Sequence, residues 1–105
     1  VDGVRVVTYA ELESRSNRVA QVLAARGLGR GDRVALLARN CSEYLEIELA
    51  AAKLGVIVAC LNWRLADREL THSVTLVGPA LLLVQAELLP NVDRLDLPPL
   101  PRLVI

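Results

Sequence analysis

The segment Gly27-Leu28-Gly29-Arg30-Gly31 is the first candidate for chemistry, because closely spaced glycines can expose backbone N–H groups to a phosphate. Phosphate cradles of this kind follow a strand and open a helix, where free N–H groups and the helix dipole face the anion. Here the glycines follow a helical pattern and precede a strand pattern. A dinucleotide fingerprint would also need an acid after the next strand, where this chain has Arg39-Asn40. We therefore predict a helix C-cap and a tight turn at the glycines.

Other side chains with acid, base or metal-binding chemistry are scattered. His72, the only histidine, lies in a predicted helix without a cysteine or carboxylate at nucleophile or metal spacing. Glu43, Glu46 and Glu48 form a local acidic run, and Glu43 falls in the first helical turn, where the dipole favours negative charge. We predict a helical surface position for His72 and a solvated face for the glutamates.

Cys41 and Cys60 are the only cysteines, and they are separated by a helical pattern and a strand pattern. Their spacing indicates neither a metal site nor a redox motif. We predict two free, buried thiols in a reducing cytosol, and hence a cytoplasmic location.

Two loops that follow predicted strands remain as candidates for binding, namely Arg39 to Ser42 and Asn62-Trp63-Arg64. In open parallel sheets, ligands bind outside the carboxyl ends of the strands. Trp63 is the only tryptophan, and Arg64 could bind an anion. We favour a packing role for this loop against other parts of the protein, and we assign no residue to catalysis, cofactor binding or metal binding.

The elements that must position these loops alternate between strand and helix. Thr8 to Glu11 fits a capping box, with Val7 and Leu12 as its hydrophobic staple, and opens a helix that ends at Gly27. Asn40 or Ser42 can cap the second helix, which ends at Gly55. The further predictions are buried strands at 33–38, 56–61 and 80–84, and a third helix over 67–77 that stops at Gly78-Pro79.

The two ends of the chain carry incomplete patterns. Asp2-Gly3 is a hairpin turn signal before a strand at 4–7, yet only Val1 precedes it. Prolines between Glu87 and Pro101 predict at most a turn of helix and then an extended linker, after which Leu103 to Ile105 begins a strand. We expect residues 1–105 to be an incomplete subdomain that starts inside a hairpin and ends on a strand.

The pattern as a whole predicts an α/β fold, in which right-handed βαβ units build a parallel sheet with helices on both faces. The 105 residues are 53% hydrophobic and 23% charged, so an ordered core is expected. Lys plus Arg (12) balances Asp plus Glu (12), which disfavours a nucleic-acid partner. No apolar run approaches the roughly 20 residues of a membrane span.

Several blocks occur in an order that resembles a known series. They are Thr8-Tyr9-Ala10-Glu11-Leu12, Asn17-Arg18, Gly31 to Leu37, Asn40, Ala52-Lys53-Leu54-Gly55 and Leu61-Asn62-Trp63-Arg64-Leu65. The series resembles the N-terminal segment of the AMP-forming acyl-CoA synthetase, or adenylate-forming, superfamily. Amino-acid adenylation domains usually show Asp-Pro and Tyr-Pro where this chain has Asn62 to Leu65, so the form here is more similar to acid:CoA ligases.

The resemblance implies that a full-length parent activates a fatty or aryl acid with ATP and Mg²⁺ and then transfers it to CoA. The family's Ser/Thr/Gly-rich loop ending in Pro-Lys-Gly, its aromatic-Thr-Glu segment and its catalytic C-terminal lysine have no counterpart in this sequence. We therefore expect a scaffold fragment that binds no cofactor and is inactive alone. Its expected partners are the remainder of the parent or a second copy, through exposed apolar surface. The alternatives are a free-standing α/β binding or regulatory module, and a fragment of an amino-acid adenylation domain.

Overall fold

Short apolar runs form one parallel sheet in the computed structural model, which describes residues 8–41 and 44–105. Within those residues the strands are β1 (Arg33–Leu37), β2 (Ile57–Leu61), β3 (Leu81–Val84) and β4 (Arg102–Val104). Their order is β2-β1-β3-β4, and every neighbouring pair is parallel. The predicted parallel α/β sheet is confirmed.

Helices connect these strands and cover both faces of the sheet. They are α1 (Tyr9–Ala25), α2 (Leu45–Leu54), α3 (Asp67–Val77) and α4 (Leu89–Asp93), the last preceded by a 3₁₀ turn at Ala86–Leu88. Across residues 8–41 and 44–105, each helix is too short or too polar to traverse a lipid bilayer.

Helix α1 begins where the capping signal predicts. The Thr8 hydroxyl accepts a hydrogen bond from the Glu11 N–H at 3.1 Å, which satisfies one of the free donors of the first turn. Val7 of the predicted staple, the Asp2-Gly3 turn and the strand at 4–7 lie outside the described residues.

Helix α2 begins later than predicted, at Leu45, with Tyr44 at the N-cap position and no side-chain cap. The expected cap by Asn40 is therefore wrong, and Ser42 lies outside the described residues. The helix end is as predicted, since Gly55 adopts φ 74° and its N–H bonds back to the last turn.

The core consists of two apolar layers, one on each face of the sheet. Alternate residues of β1 point to opposite faces, so Val34 and Leu36 pack under α1 and α2, while Ala35 and Leu37 pack under α3 and α4. The side chains of β3 alternate between the two faces in the same way, and all of them are buried. Burial on both faces explains why these strands are continuous apolar runs.

A polar contact ties α1 to α2 over the first layer. The ammonium of Lys53, the only lysine, donates to Glu13 Oε1 at 2.9 Å, to Ser16 Oγ at 2.9 Å and to Asn17 Oδ1 at 2.6 Å. Ser16 is fully buried and also donates to the Glu13 carbonyl. The contact gives the buried Ser16 hydroxyl a second hydrogen-bond partner and links the two helices.

Strand β2 was expected to be buried, and that prediction is wrong. It lies at one edge of the described sheet with β1 as its partner, so one side of its backbone has no neighbouring strand there. Ile57 is 55% exposed and Cys60 is exposed, whereas Leu61 is buried. Local composition does not separate an edge strand from a central one, because lateral position is set by the whole sheet.

The proline-containing region holds more helix than predicted. The 3₁₀ turn and α4 together run from Ala86 to Asp93, and Pro90 lies in the first turn of α4, where its missing N–H costs little. Leu88 and Val92 are buried against the sheet. The expected strand at the end of the chain is confirmed as β4, which pairs with β3.

Because β1 is central in the sheet, truncation of one of its buried side chains should lower the free energy of unfolding strongly. Leu36→Ala should lower the free energy of unfolding by about 3 kcal/mol, because it leaves a cavity in a layer where Leu36 has no exposure. Leu76→Ala, at a site that is 73% exposed, should change it by less than about 0.5 kcal/mol. Urea denaturation followed by circular dichroism measures both values, and equal losses would contradict the assignment of the core.

Candidate functional site at the carboxyl edge of the sheet

The carboxyl ends of β1, β2 and β3 meet at one edge, because all three strands are parallel. After β1 the chain passes to α2 on one face, whereas after β3 it passes to α4 on the other face. A crevice therefore forms between the ends of β1 and β3, the place where doubly wound sheets bind ligands.

Contacts between the loops close this crevice. The Gln85 side-chain carbonyl accepts a hydrogen bond from the Arg39 N–H at 2.9 Å, and the Arg39 guanidinium lies 3.6 Å from a Glu87 carboxylate oxygen. Both charged side chains are more than half exposed, so water screens the ion pair and it adds little stability. We call Arg39, Trp63, Arg64, Gln85 and Glu87 the strand-end cluster.

Trp63 is the organising residue of the strand-end cluster. Its indole N–H donates to the Arg39 carbonyl at 3.2 Å, and the guanidinium carbons of Arg39 and Arg64 each lie 5.4 Å from its ring centroid. The ring also packs against the apolar layer under α3 and α4. Asn62 Oδ1 accepts from the Arg64 N–H at 3.1 Å and so fixes the loop after β2.

The cluster can attract an anion but contains no pair of groups for covalent chemistry. The charge of Arg39 is offset by Glu87, while Arg64 makes no ion pair with any carboxylate in the described part of the chain. A shallow hollow of about 330 Å³, lined by Ala38, Cys41 and Leu61 along with cluster residues, opens beside it. Trp63 thus packs against the core of this chain, and Arg64 adds a positive surface beside it. The expected packing of the loop against other parts of the protein stays a prediction.

The two cysteines differ in their exposure to solvent. Burial, followed by a contribution from Cys60, raises the pKa of the Cys41 thiol to about 12. Cys41 is half-buried, whereas Cys60 is exposed on β2, so the prediction of two buried thiols is wrong for Cys60. Both thiols are free, as predicted.

The glycine-rich segment is a turn between α1 and β1, at the amino edge of the sheet, as predicted. Gly27 has φ 81° and Gly31 has φ 86°, values that favour glycine. The Gly29 N–H, which a phosphate cradle would leave free, donates to Asp32 Oδ2 at 2.8 Å. The turn is therefore held by its own aspartate.

The other candidate residues from the sequence analysis do not lie at this edge of the sheet. His72 is exposed on α3, Glu46 and Glu48 lie on α2, and Glu43 is outside the described residues. Residues 8–41 and 44–105 bring together no group of three or more His, Cys, Asp or Glu side chains that could hold a metal ion. The described residues therefore do not fit Mg²⁺, which needs several oxygen ligands.

The sequence did not single out Gln85 and Glu87, although both contact Arg39. The rule that selected the other two loops would have found them, because Gln85 directly follows β3. Gln85 lies beside Arg39 because β1 and β3 are adjacent in the sheet. This adjacency follows from the strand order and not from the local sequence.

Comparisons with known proteins agree on a family. The family described as AMP-binding enzyme matches residues 1–104. A fatty acid–[acyl-carrier-protein] ligase, ScoC of Streptomyces coeruleorubidus, is 39% identical over 95 residues, which cover 90% of this chain and 18% of that protein. A 3-hydroxybenzoate–CoA ligase of Aromatoleum sp. (strain CIB) is 39% identical over 87 residues, covering 83% of this chain and 17% of the relative.

A solved structure shows the same arrangement. The inhibitor-bound N-terminal domain of FACL13 from Mycobacterium tuberculosis superimposes with a TM-score of 0.84 and 33% identity, over 94% of this chain and 26% of that domain. The chain therefore has the α/β fold of the N-terminal domain of adenylate-forming enzymes, and it spans less than a fifth of the length of the curated relatives described above.

The turn at the glycines predicts different responses at two neighbouring positions. Gly31→Ala should lower the free energy of unfolding by about 1 kcal/mol, because an L side chain is strained at φ 86°. Gly29→Ala is the matched control, since Gly29 lacks a positive φ and has open space around an added methyl group. Chemical denaturation of both variants tests this, and an equal cost at the two sites would be inconsistent with the turn.

The contacts of Trp63 predict that its substitution affects stability through packing. Trp63→Ala should lower the free energy of unfolding by about 2 kcal/mol, because it removes half-buried apolar area and both cation–π contacts. Trp63→Phe keeps the ring and loses the hydrogen bond to Arg39, so it should cost about 1 kcal/mol. Thermal and urea unfolding measure both, and a neutral Trp63→Ala would refute the packing role.

Proposed function

Because this chain belongs to the AMP-binding enzyme family, we propose that it forms part of the N-terminal sheet of a longer, ATP-dependent, AMP-forming acid:CoA ligase. The observation that carries this proposal is the family match across residues 1–104, on a sheet of the same fold. In this role the chain is a scaffold. It positions strand-end loops and carries no catalytic residue.

The substrate of the parent is proposed to be a fatty or aryl carboxylic acid. The similar proteins are named for a fatty acid and for 3-hydroxybenzoate, which supports both classes. The Asn62-Trp63-Arg64-Leu65 block lacks the Asp-Pro and Tyr-Pro typical of amino-acid adenylation domains. A fragment of such a domain is the second alternative.

The proposed reaction has two steps, both in the full-length enzyme. The carboxylate attacks ATP to give an acyl-adenylate and pyrophosphate, and the CoA thiol then displaces AMP to give the thioester. Mg²⁺ would neutralise charge on the transferring phosphate. The described residues contribute the sheet that carries the strand-end cluster, and ATP, Mg²⁺ and CoA are cofactors of the parent alone.

Exposed apolar surface supports a partner for the first face of the sheet. A hollow of about 400 Å³ lies between α1, α2 and β4 and is lined by Val19, Val22, Leu103 and Ile105 among other side chains. Val22 is 45% exposed. We propose that the remainder of the ligase covers this surface, and that a second copy of the chain covers it when the chain is alone. We also propose that the parent is cytoplasmic.

A free-standing binding or regulatory module is the rival function, in which the strand-end cluster holds a partner. The observation that favours it is the organised stack of Arg39, Trp63 and Arg64, which needs no further protein to form. The two functions predict different exposure of the apolar surface. In a free-standing module the surface is shielded from solvent, whereas in a scaffold fragment it is exposed.

The scaffold role predicts that the purified chain does not catalyse ATP–pyrophosphate exchange with fatty or aryl acids. It also predicts that the apolar surface of the chain is exposed to solvent. We expect a hydrophobic dye to bind, and Val22→Ser to weaken dye binding because Val22 lines the hollow. Leu76→Ser, at an exposed site on the opposite face, is the matched control and should leave dye binding unchanged.

Two results would contradict this prediction. Exchange activity of the 105-residue chain would show that it carries its own chemistry. A monomer with a cooperative melt and no dye binding would favour the free-standing module. In the gene, the scaffold role expects a Ser/Thr/Gly-rich segment ending in Pro-Lys-Gly to be encoded downstream of Ile105.

A further inference from the structure

Residues 97–102, with the sequence Leu-Pro-Pro-Leu-Pro-Arg, follow α4 and lead into β4, and we call them the proline segment. The chain has neither helix nor turn at residues 96–101. Proline fixes φ at about −65°, and a residue that precedes proline is restricted to extended conformations. Leu97, Pro98 and Leu100 each precede a proline. The proline segment is therefore biased by its own sequence towards the left-handed polyproline II helix.

Solvent exposure along the proline segment repeats every three residues. Leu97 and Leu100 are half-buried, and both pack against the apolar layer under α3 and α4. The two residues after each of these leucines are exposed. Because a polyproline II helix has three residues per turn, the leucines form its inner edge. Pro98 and Pro101 then share one outward edge, with the spacing of a Pro-x-x-Pro motif.

Backbone pairing holds the proline segment in place. The Leu82 N–H donates to the Pro101 carbonyl at 2.9 Å, and Arg102 lies opposite Leu82 in the ladder between β3 and β4. The Arg102 guanidinium donates to Asp93 Oδ1 at 2.7 Å, but both side chains are exposed, so this ion pair adds little stability. A segment that is ordered before it binds loses less entropy on binding, which favours a role in recognition.

The proline segment forms a wall between two surface hollows. One hollow, of about 390 Å³, lies against α4 and is lined by Val92 and Asp93 among other residues. The other, of about 210 Å³, lies against α3, and its lining includes Val74 and Thr75. Residues 97–100 line both hollows. A ridge of this kind is complementary in shape to a groove on a partner.

We propose that the proline segment docks into the aromatic-lined groove of a separate protein domain of the WW type. Grooves of this class bind Pro-x-x-Pro segments in the polyproline II conformation, and Pro98 and Pro101 present that spacing on one exposed edge. Arg102 adds a cation beside this edge, which favours a groove with an acidic rim. The inference is independent of the proposed ligase function.

A second copy of this chain does not provide such a groove. The chain has one Trp, two Tyr and no Phe. Trp63 and Tyr44 pack against the two layers of the core, which leaves Tyr9, at the first turn of α1, as the one largely exposed aromatic side chain. Because the groove needs several aromatic side chains, the occupant is a different protein.

The test probes an array of isolated WW domains with the full 105-residue chain and measures binding by fluorescence anisotropy. We expect at least one domain to bind the chain, and a synthetic Pro-Pro-Leu-Pro peptide to displace it. Replacement of the groove tryptophan of that domain by alanine should abolish binding. The proposal is overturned if no domain binds, which is the result when a second copy or the rest of a parent covers the segment. Binding that survives the loss of the groove tryptophan also overturns it.

Proline variants of the chain test which edge docks. Pro98→Ala combined with Pro101→Ala should weaken binding at least about tenfold, because it removes both prolines of the exposed edge. Pro90→Ala is the matched control, since Pro90 lies in α4 outside the proline segment, and it should leave the affinity unchanged. Equal affinities of the double variant and the wild type would contradict the proposal. Displacement of the wild-type chain by the peptide decides it even where the double variant folds poorly.

A charge variant tests the role of Arg102. Arg102→Gln should weaken binding about threefold at low salt and by less at high salt, because screening reduces the attraction to an acidic rim. Arg94→Gln is the control, since Arg94 also pairs with an aspartate but lies outside the proline segment. Equal effects of the two variants would refute this role.

Discussion

The hydrogen-bonded position of β1 between β2 and β3 is the constraint on which the rest of the structure depends. A parallel strand with a neighbour on each side leaves only its two faces for side chains, and both faces must be covered. Helices α1 and α2 therefore lie on one side and α3 and α4 on the other. The same strand order brings the chain after β1 beside the chain after β3, so the fold and the strand-end cluster have one cause.

The sequence predicts local features well where a side chain or a glycine fixes the backbone by itself. Thr8 caps α1, Gly55 ends α2 and Gly78 ends α3, and in each case the residue acts within its own turn. The predictions that fail concern lateral neighbours. The exposure of β2 depends on which strands lie beside it, and the local sequence does not contain that information.

The residues of the candidate site also divide into those that local sequence predicts and those that depend on neighbouring strands. The sequence identified the loops that contain Arg39 and Trp63, because ligand sites of parallel sheets lie after strand ends. It did not identify Gln85 and Glu87, whose contribution comes from contacts to Arg39 across the β1–β3 boundary. The same sheet occurs in the N-terminal domain of FACL13 at 33% identity, so the fold persists although most of the sequence differs.

The contact between α1 and α2 also has a chemical consequence. Lys53 carries the only side-chain amine of the protein, and three oxygen acceptors hold it against the buried Ser16. Acetylation of this amine would remove its charge and two of its donors, and so would weaken the polar contact between α1 and α2. Lysine-directed labelling, cross-linking or enzymatic acylation therefore acts at a single side chain, and that side chain links two helices.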